Sequence, residues 1–172
     1  MHTNDTAAFE PDMNLVEMWT RKDPSRWVAG AIAGVVAGVV SLVVAGILCK
    51  MGGMEFVFPE KFAATILLGA KATNIGADLG PVIAGFVLYE IVAAFLGFVY
   101  AHFVFSNNRT ALLSMGFVWG VFSWIFIWNL FLQSFNQIFA AKQPAGPLFL
   151  ICVVFGVSLS CLSLFSRGPG RS

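Results

Sequence analysis

Charge is scarce in this chain: Asp, Glu, Lys and Arg together make up 11% of its 172 residues, where a soluble domain carries about a quarter. That scarcity, with 58% hydrophobic residues and a mean hydropathy of +0.82, makes it an integral membrane protein and excludes a large soluble catalytic domain. Neither sign of charge dominates. A net charge of +1 gives no basic field of the kind a phosphate backbone requires, so nucleic acid is not an expected partner.

Histidine and cysteine are equally sparse, with two of the first and three of the second. A bis-histidine haem needs two intramembrane histidines, and His2 lies in a polar tail, which leaves His102 alone. Cys152 and Cys161 stand nine residues apart, about 900° around a helix, and so face opposite ways. No CxxC or haem-attachment pattern occurs, and the thiols read as small hydrophobes. HExxH, Walker A and GxSxG are absent, as are carboxylates at metal-ligand spacing, so neither a metal site nor a self-contained enzyme is expected. Inverted repeats with broken helices, the mark of many secondary transporters, are missing too.

What the chain does have is long apolar runs. Each helical crossing needs about 20 apolar residues, and the hydropathy pattern predicts four spans, at about 27–49, 82–105, 111–132 and 148–165. The first run is too long for a secretory leader and lacks a small-residue cleavage site, so it is expected to be retained as a span. Asp23-Pro24 supplies a cap and a first-turn proline ahead of it. Residues 1–26 form a polar tail in which Pro11 to Trp19 predicts a short amphipathic helix, and 166–172 form a second tail. Between spans one and two, Pro59 starts an apolar stretch of about 14 residues, too short to cross, which predicts an interfacial helix over about 59–70. The fold class is therefore all-α, an integral membrane four-helix bundle with one short interfacial helix. The short polar turn from Ser106 to Thr110 predicts that spans two and three are antiparallel neighbours.

Basic residues divide with Arg21, Lys22, Arg26, Arg109, Arg167 and Arg171 on one side and Lys50, Lys61, Lys71 and Lys142 on the other. The positive-inside bias then places both termini in the cytoplasm.

Gly30, Gly34 and Gly38 recur every four residues on the first span, beside a second stripe of Ala33, Ala37, Ser41 and Ala45. Small residues let helices approach closely in lipid, so the stripes predict packing, either within the chain or against another membrane protein subunit. Glu90 is the one acid inside a long apolar run; it must be protonated, paired or facing water, and intramembrane acids are functional candidates. Tracing the antiparallel spans puts Glu90, Asn129 and Ser41 at one depth, an expected intramembrane polar layer in which Glu90 either clips to Asn129 or handles a proton or cation. Asn129, Gln133, Asn136 and Gln137 share one helical face. His102, near the end of the second span, is an interfacial histidine or a single ligand to a pigment or haem. Trp119, Trp124 and Trp128 make a surface suited to a quinone or pigment, although the sequence requires no cofactor beyond bound lipid.

Over Phe58 to Gly69, Gly85 to Tyr100 and Met115 to Gly120, the chain resembles small bacterial four-helix inner-membrane proteins of the YagU kind. The resemblance implies a four-helix fold and a bacterial inner membrane, and it supplies no activity. Proteins of that kind often have a histidine in the first half of the second span, where this chain has Tyr89 and Glu90. Three functional expectations result. The first is a non-catalytic accessory or structural subunit of a larger membrane complex, such as a respiratory or photosynthetic electron-transfer assembly. The second is a small oligomeric channel or transporter using Glu90 for proton or cation passage. The third is a quinone or pigment binding protein using His102 and Trp124.

Overall fold

Small residues, rather than loop lengths, decide which helices become neighbours in this protein. A computed structural model describes residues 24–74, 76, 78–104, 108–132 and 145–165. Among them there is no strand. The elements are α1 (Pro24–Met51), α2 (Phe58–Leu68), a 3-10 turn (Ala70–Thr73), α3 (Leu79–Phe103), α4 (Arg109–Phe126) continuing into a π turn (Ile127–Leu132), and α5 (Ala145–Ser158). A second 3-10 turn (Leu159–Cys161) and α6 (Leu162–Phe165) complete them. Four stretches are long and apolar enough to cross a membrane: Pro24–Met51, Leu79–Phe103, Arg109–Asn129 and Gly146–Phe165. The predicted tail helix at 11–19 and the C-terminal tail lie outside the described residues.

Local chemistry sets the helix ends. α1 closes in a Schellman arrangement: the Met54 amide donates to the Cys49 carbonyl at 2.9 Å and the Gly53 amide to Lys50 at 3.1 Å. Gly53 takes φ +77°, which only glycine adopts without strain. Asp78 caps α3 by accepting from the Gly80 amide at 3.1 Å, and Asn108 caps α4 by accepting from the Thr110 amide at 3.0 Å. At the far end of α3 the orphan carbonyls of Ala101 and Val104 accept from the Arg26 guanidinium. That bond ties the start of α1 to the end of α3, as antiparallel packing requires.

α1 packs on α3 through its glycine stripe. A Cβ on Gly30 would lie 2.3 Å from the Ala101 side chain, one on Gly34 2.3 Å from the Ala93 carbonyl, and one on Gly97 2.3 Å from the Gly30 carbonyl. The second stripe is buried as well, with Ala33, Ala37 and Ser41 fully covered. α5 and α6 pack on α1, and the Cys161 thiol reaches the Ala33 carbonyl at 3.8 Å. α4 pairs with α5 in the same way: a Cβ on Gly116 would stand 2.3 Å from the Gly156 carbonyl, and one on Gly156 2.2 Å from the Gly116 carbonyl. Backbones this close gain dispersion contacts that lipid tails cannot match.

The expected pairing of spans two and three is corrected by this pattern. α3 and α4 are consecutive, yet Gly97 of α3 faces α1, Gly85 faces α2, and Gly116 and Gly120 of α4 face α5, so α3 and α4 meet through side chains. Tyr100 is the principal bridge; it is wholly buried, donates to the Leu112 carbonyl at 2.8 Å and sets its ring edge-on to Trp119 at 6.0 Å. A bulky residue holds backbones apart where a glycine would have let them touch.

A candidate intramembrane acid site

Glu90 lies eleven residues into α3, about 16 Å along its axis and half the thickness of a hydrocarbon core. The side chain turns into the α1–α3 seam. There the absence of a side chain on Gly38 makes room: a Cβ at that position would stand 2.8 Å from one Glu90 oxygen and 2.9 Å from the other. Both oxygens are buried, and neither has a hydrogen-bond partner among the described residues. A charged carboxylate so placed, without a partner, carries a desolvation cost that a proton or a bound cation would relieve.

Ser41 and Tyr89 lie on the α2 side of that acid. The Ser41 hydroxyl donates to the Gly38 carbonyl at 2.9 Å and shares a 2.8 Å hydrogen bond with the Tyr89 hydroxyl. Gly38 therefore touches both groups, its missing side chain admitting Glu90 and its carbonyl holding Ser41.

One further turn toward the start of α3, Gly85 admits α2. A Cβ there would overlap the Glu60 carbonyl at 1.7 Å, so only glycine lets α2 lie this close. Glu60 is consequently 9% exposed, and its Oε2 is buried without a partner among the described residues. Burial pushes its carboxyl above the ordinary range. Tyr89 stands within electrostatic reach of both Glu90 and Glu60, and Glu60 within reach of Cys49 on α1. Tyr89 thus lies in electrostatic reach of two carboxyls, Glu90 in the α1–α3 seam and Glu60 where α2 meets α3.

Lys61, next to Glu60, is turned the other way. Its side chain is 1% exposed, and its ammonium donates to Glu55, to the Asn74 carbonyl at 3.2 Å and to the Gly76 carbonyl at 2.7 Å. All three of its hydrogens are used. Glu55 also accepts from the Gly76 amide at 3.2 Å. The Lys61 hydrogen bond, with that amide second, holds the Glu55 carboxyl below its usual range.

The other expected site residues are placed differently. Asn129 is not joined to Glu90: its amide donates to its own helix, at the Ile125 carbonyl, over 3.0 Å, and the residue is exposed. The cause is the packing of α4, whose close partner is α5 through Gly116 and Gly156, so a common depth along the spans does not bring Asn129 to the α1–α3 seam. Ser41 remains in the seam, so the layer reduces to Ser41 and Glu90 with Tyr89 added. Gln133, Asn136 and Gln137 lie outside the described residues. Gly30, Gly34 and Gly38 are consumed by α3 and leave no open stripe for a second subunit. His102 is half-buried, its ring 5.7 Å from Trp27 and 5.4 Å from Phe103. No group of three metal-binding side chains occurs among the described residues. Trp124 stands edge-on to Phe149 at 5.4 Å, and the indole nitrogens of Trp119 and Trp124 are buried without partners.

Glu60 and Tyr89 escaped the sequence reading for different reasons. An acid beside Pro59 in a first helical turn reads as a solvated N-terminal charge, and its burial depends on Gly85, 25 residues later in the chain. The signal for Tyr89 was present: a phenol adjoining the lone acid, facing a serine within a stripe of alanines.

Fold and site together define a class: an all-helical protein with four helices long and apolar enough to span a membrane, and an unpaired acid in a helix seam. No family model, curated protein or solved structure matches the chain.

Proposed function

We propose that this chain is a small membrane channel or transporter whose working group is Glu90, which takes up and releases a proton or cation within the bilayer. The single observation that carries this reading is the carboxyl of Glu90, buried at mid-helix with both oxygens unpartnered. A structural clip would spend that carboxyl on a hydrogen bond, and an acid kept free of partners stays available for exchange. The glycine stripe, which the accessory-subunit reading would use as contact surface, packs within the chain, and that reading keeps no comparably specific observation.

In this proposal the four apolar helices form a bundle in the bacterial inner membrane, with α2 at the outer interface and both termini cytoplasmic by the distribution of basic residues. Val39, Ile83, Val87, Ile91 and Phe95 are exposed and face lipid. The test is ion flux. Purified protein in liposomes, under an imposed potential, is compared with Glu90→Gln for uptake of protons and of radiolabelled sodium. Flux in the parent chain that the amide abolishes supports the reading. Equal flux in both, or none above empty liposomes, overturns it.

A further inference from the structure

We infer that the species handled at Glu90 is the proton, that Glu60 is the second acid of its path, and that the Tyr89–Ser41 hydroxyl pair connects the two carboxyls. This rests on the reading of Glu90 proposed above and adds a substrate and two further site residues to it.

The placement of the groups is the first argument. On α3, Gly85 marks the level of the Glu60 backbone, Tyr89 follows four residues later and Glu90 is next. The whole column therefore spans only about 7.5 Å along the helix axis. It runs from the α2 end of the seam, through a hydroxyl pair at 2.8 Å, to the middle of the span. At each end stands a buried carboxyl oxygen with no partner, Oε2 of Glu60 and both oxygens of Glu90. Unpaired acids at the two ends of a hydroxyl pair are what a relay requires and what a packing seam avoids.

Coordination chemistry is the second argument. A hard cation is held by about six or more oxygens. Here the Gly38 carbonyl and the Ser41 hydroxyl are already bonded, and Gly38 presses on the Glu90 carboxyl so closely that even a methyl group would not fit. A proton needs one lone pair and no cage. The titratable groups within reach of Glu60 agree with this: Cys49 from α1 and Tyr89 from α3 lie toward it, and the adjoining Lys61 is turned to Glu55. Glu60 thus has no ammonium to fix it as a carboxylate.

The transfer balances without any redox partner. The O–H bond of protonated Glu60 breaks as a new O–H forms on the hydroxyl pair. That pair releases one of its own hydrogens, which forms an O–H bond on a Glu90 carboxylate oxygen. Glu60 is left as carboxylate, Glu90 as the acid, and both hydroxyls are unchanged. Rotation of a side chain or one inserted water closes each step. Glu90 then gives its proton to water on the opposite side, which restores the accepting carboxylate, and water at the α2 end restores the proton to Glu60.

The experiment uses the full chain in liposomes loaded with a pH-sensitive dye, with a potassium diffusion potential to drive uptake and radiolabelled sodium as the competing probe. Proton uptake is expected in the parent chain and sodium uptake only at the level of empty liposomes. Glu60→Gln and Glu90→Gln should each lower proton uptake by about tenfold or more, Tyr89→Phe should lower it by less, and Glu60→Asp should recover part of it. Size-exclusion elution at the parent position checks folding, and Tyr89→Phe, which keeps the ring, carries the test where Glu60→Gln fails to fold. Full proton flux in Glu60→Gln beside an inactive Glu90→Gln overturns the role of Glu60 and leaves Glu90 standing. No recovery in Glu60→Asp does the same. Sodium uptake that needs Glu90 overturns the proton and spares the site. Absence of any flux in the parent chain overturns the inference and the function together.

Discussion

Gly38 of α1 and Glu90 of α3 occupy one space: the side chain that Gly38 lacks is where the Glu90 carboxyl lies, 2.8 and 2.9 Å from the position a Cβ would take. A glycine in a span most often lets two backbones meet, as Gly30, Gly34 and Gly97 do here. Gly38 instead admits the carboxyl of a side chain. The same helix face thus serves two purposes, close packing toward the start of α1 and an acid cradle at its middle.

Replacing Gly38 with alanine tests the cradle. The methyl group collides with the flexible Glu90 carboxyl and also with the Ala93 Cβ at 2.9 Å, so Glu90 has to leave the seam and the α1–α3 backbones have to part slightly. A stability loss within the roughly 1–3 kcal/mol of ordinary overpacking is expected. Ion flux should fall as far as in Glu90→Gln. Thermal unfolding in detergent and the liposome assay measure the two effects separately, and wild-type flux in Gly38→Ala would show that the carboxyl works outside the seam.

Gly85 is a harder case, since its neighbour is backbone. A Cβ there would overlap the Glu60 carbonyl at 1.7 Å, and no rotamer relieves that clash. Gly85→Ala is therefore expected to cost more than Gly38→Ala, at or above the top of the same roughly 1–3 kcal/mol range. The loss should be local, with α2 shifted off α3. Amide exchange along Phe58–Leu68 should rise in this variant while that of the α4–α5 pair, closed by Gly116 and Gly156, stays as it was.

Much of this architecture was legible because membrane helices must satisfy their own backbone and must be apolar, so hydropathy alone marks the spans. The observed helices start or end within a few residues of the expected ones, and α2 was identifiable from Pro59 and its shortness. Neighbour relations were less legible. Loop length argued for α3 beside α4, whereas matching small residues, Gly30 with Gly97 and Gly116 with Gly156, formed the close pairs. That matching is a property of two segments at once and is visible only when both are known. Glu90 was conspicuous as a lone acid, and Glu60 was hidden because a residue 25 positions away buries it. Asn129 was misplaced because the common depth assumed α4 close beside α3, whereas α4 packs on α5.

The two acids of the α2 region should respond to pH with opposite signs. Glu55 is held below its ordinary range by the Lys61 hydrogen bond and then by the Gly76 amide, so the folded protein binds fewer protons than the unfolded chain across that interval. Its contribution is present above the unfolded value and is lost as pH falls through the lowered one. Glu60 is raised by burial, so there the folded protein binds more protons, and stability declines as pH rises from the unfolded value toward the raised one. Glu60→Gln should accordingly be at least as stable as the parent chain at neutral pH and should lose its advantage in acid. Protection of the Gly76 amide, whose acceptor is Glu55, should drop as pH falls below the usual carboxylate range, and Glu55→Gln should remove that pH dependence. Exchange rates corrected for intrinsic pH effects, with thermal unfolding across the same range, measure both. A parent chain more stable than Glu60→Gln at neutral pH would mean that Glu60 is paired and charged, and the column would lose its outer acid.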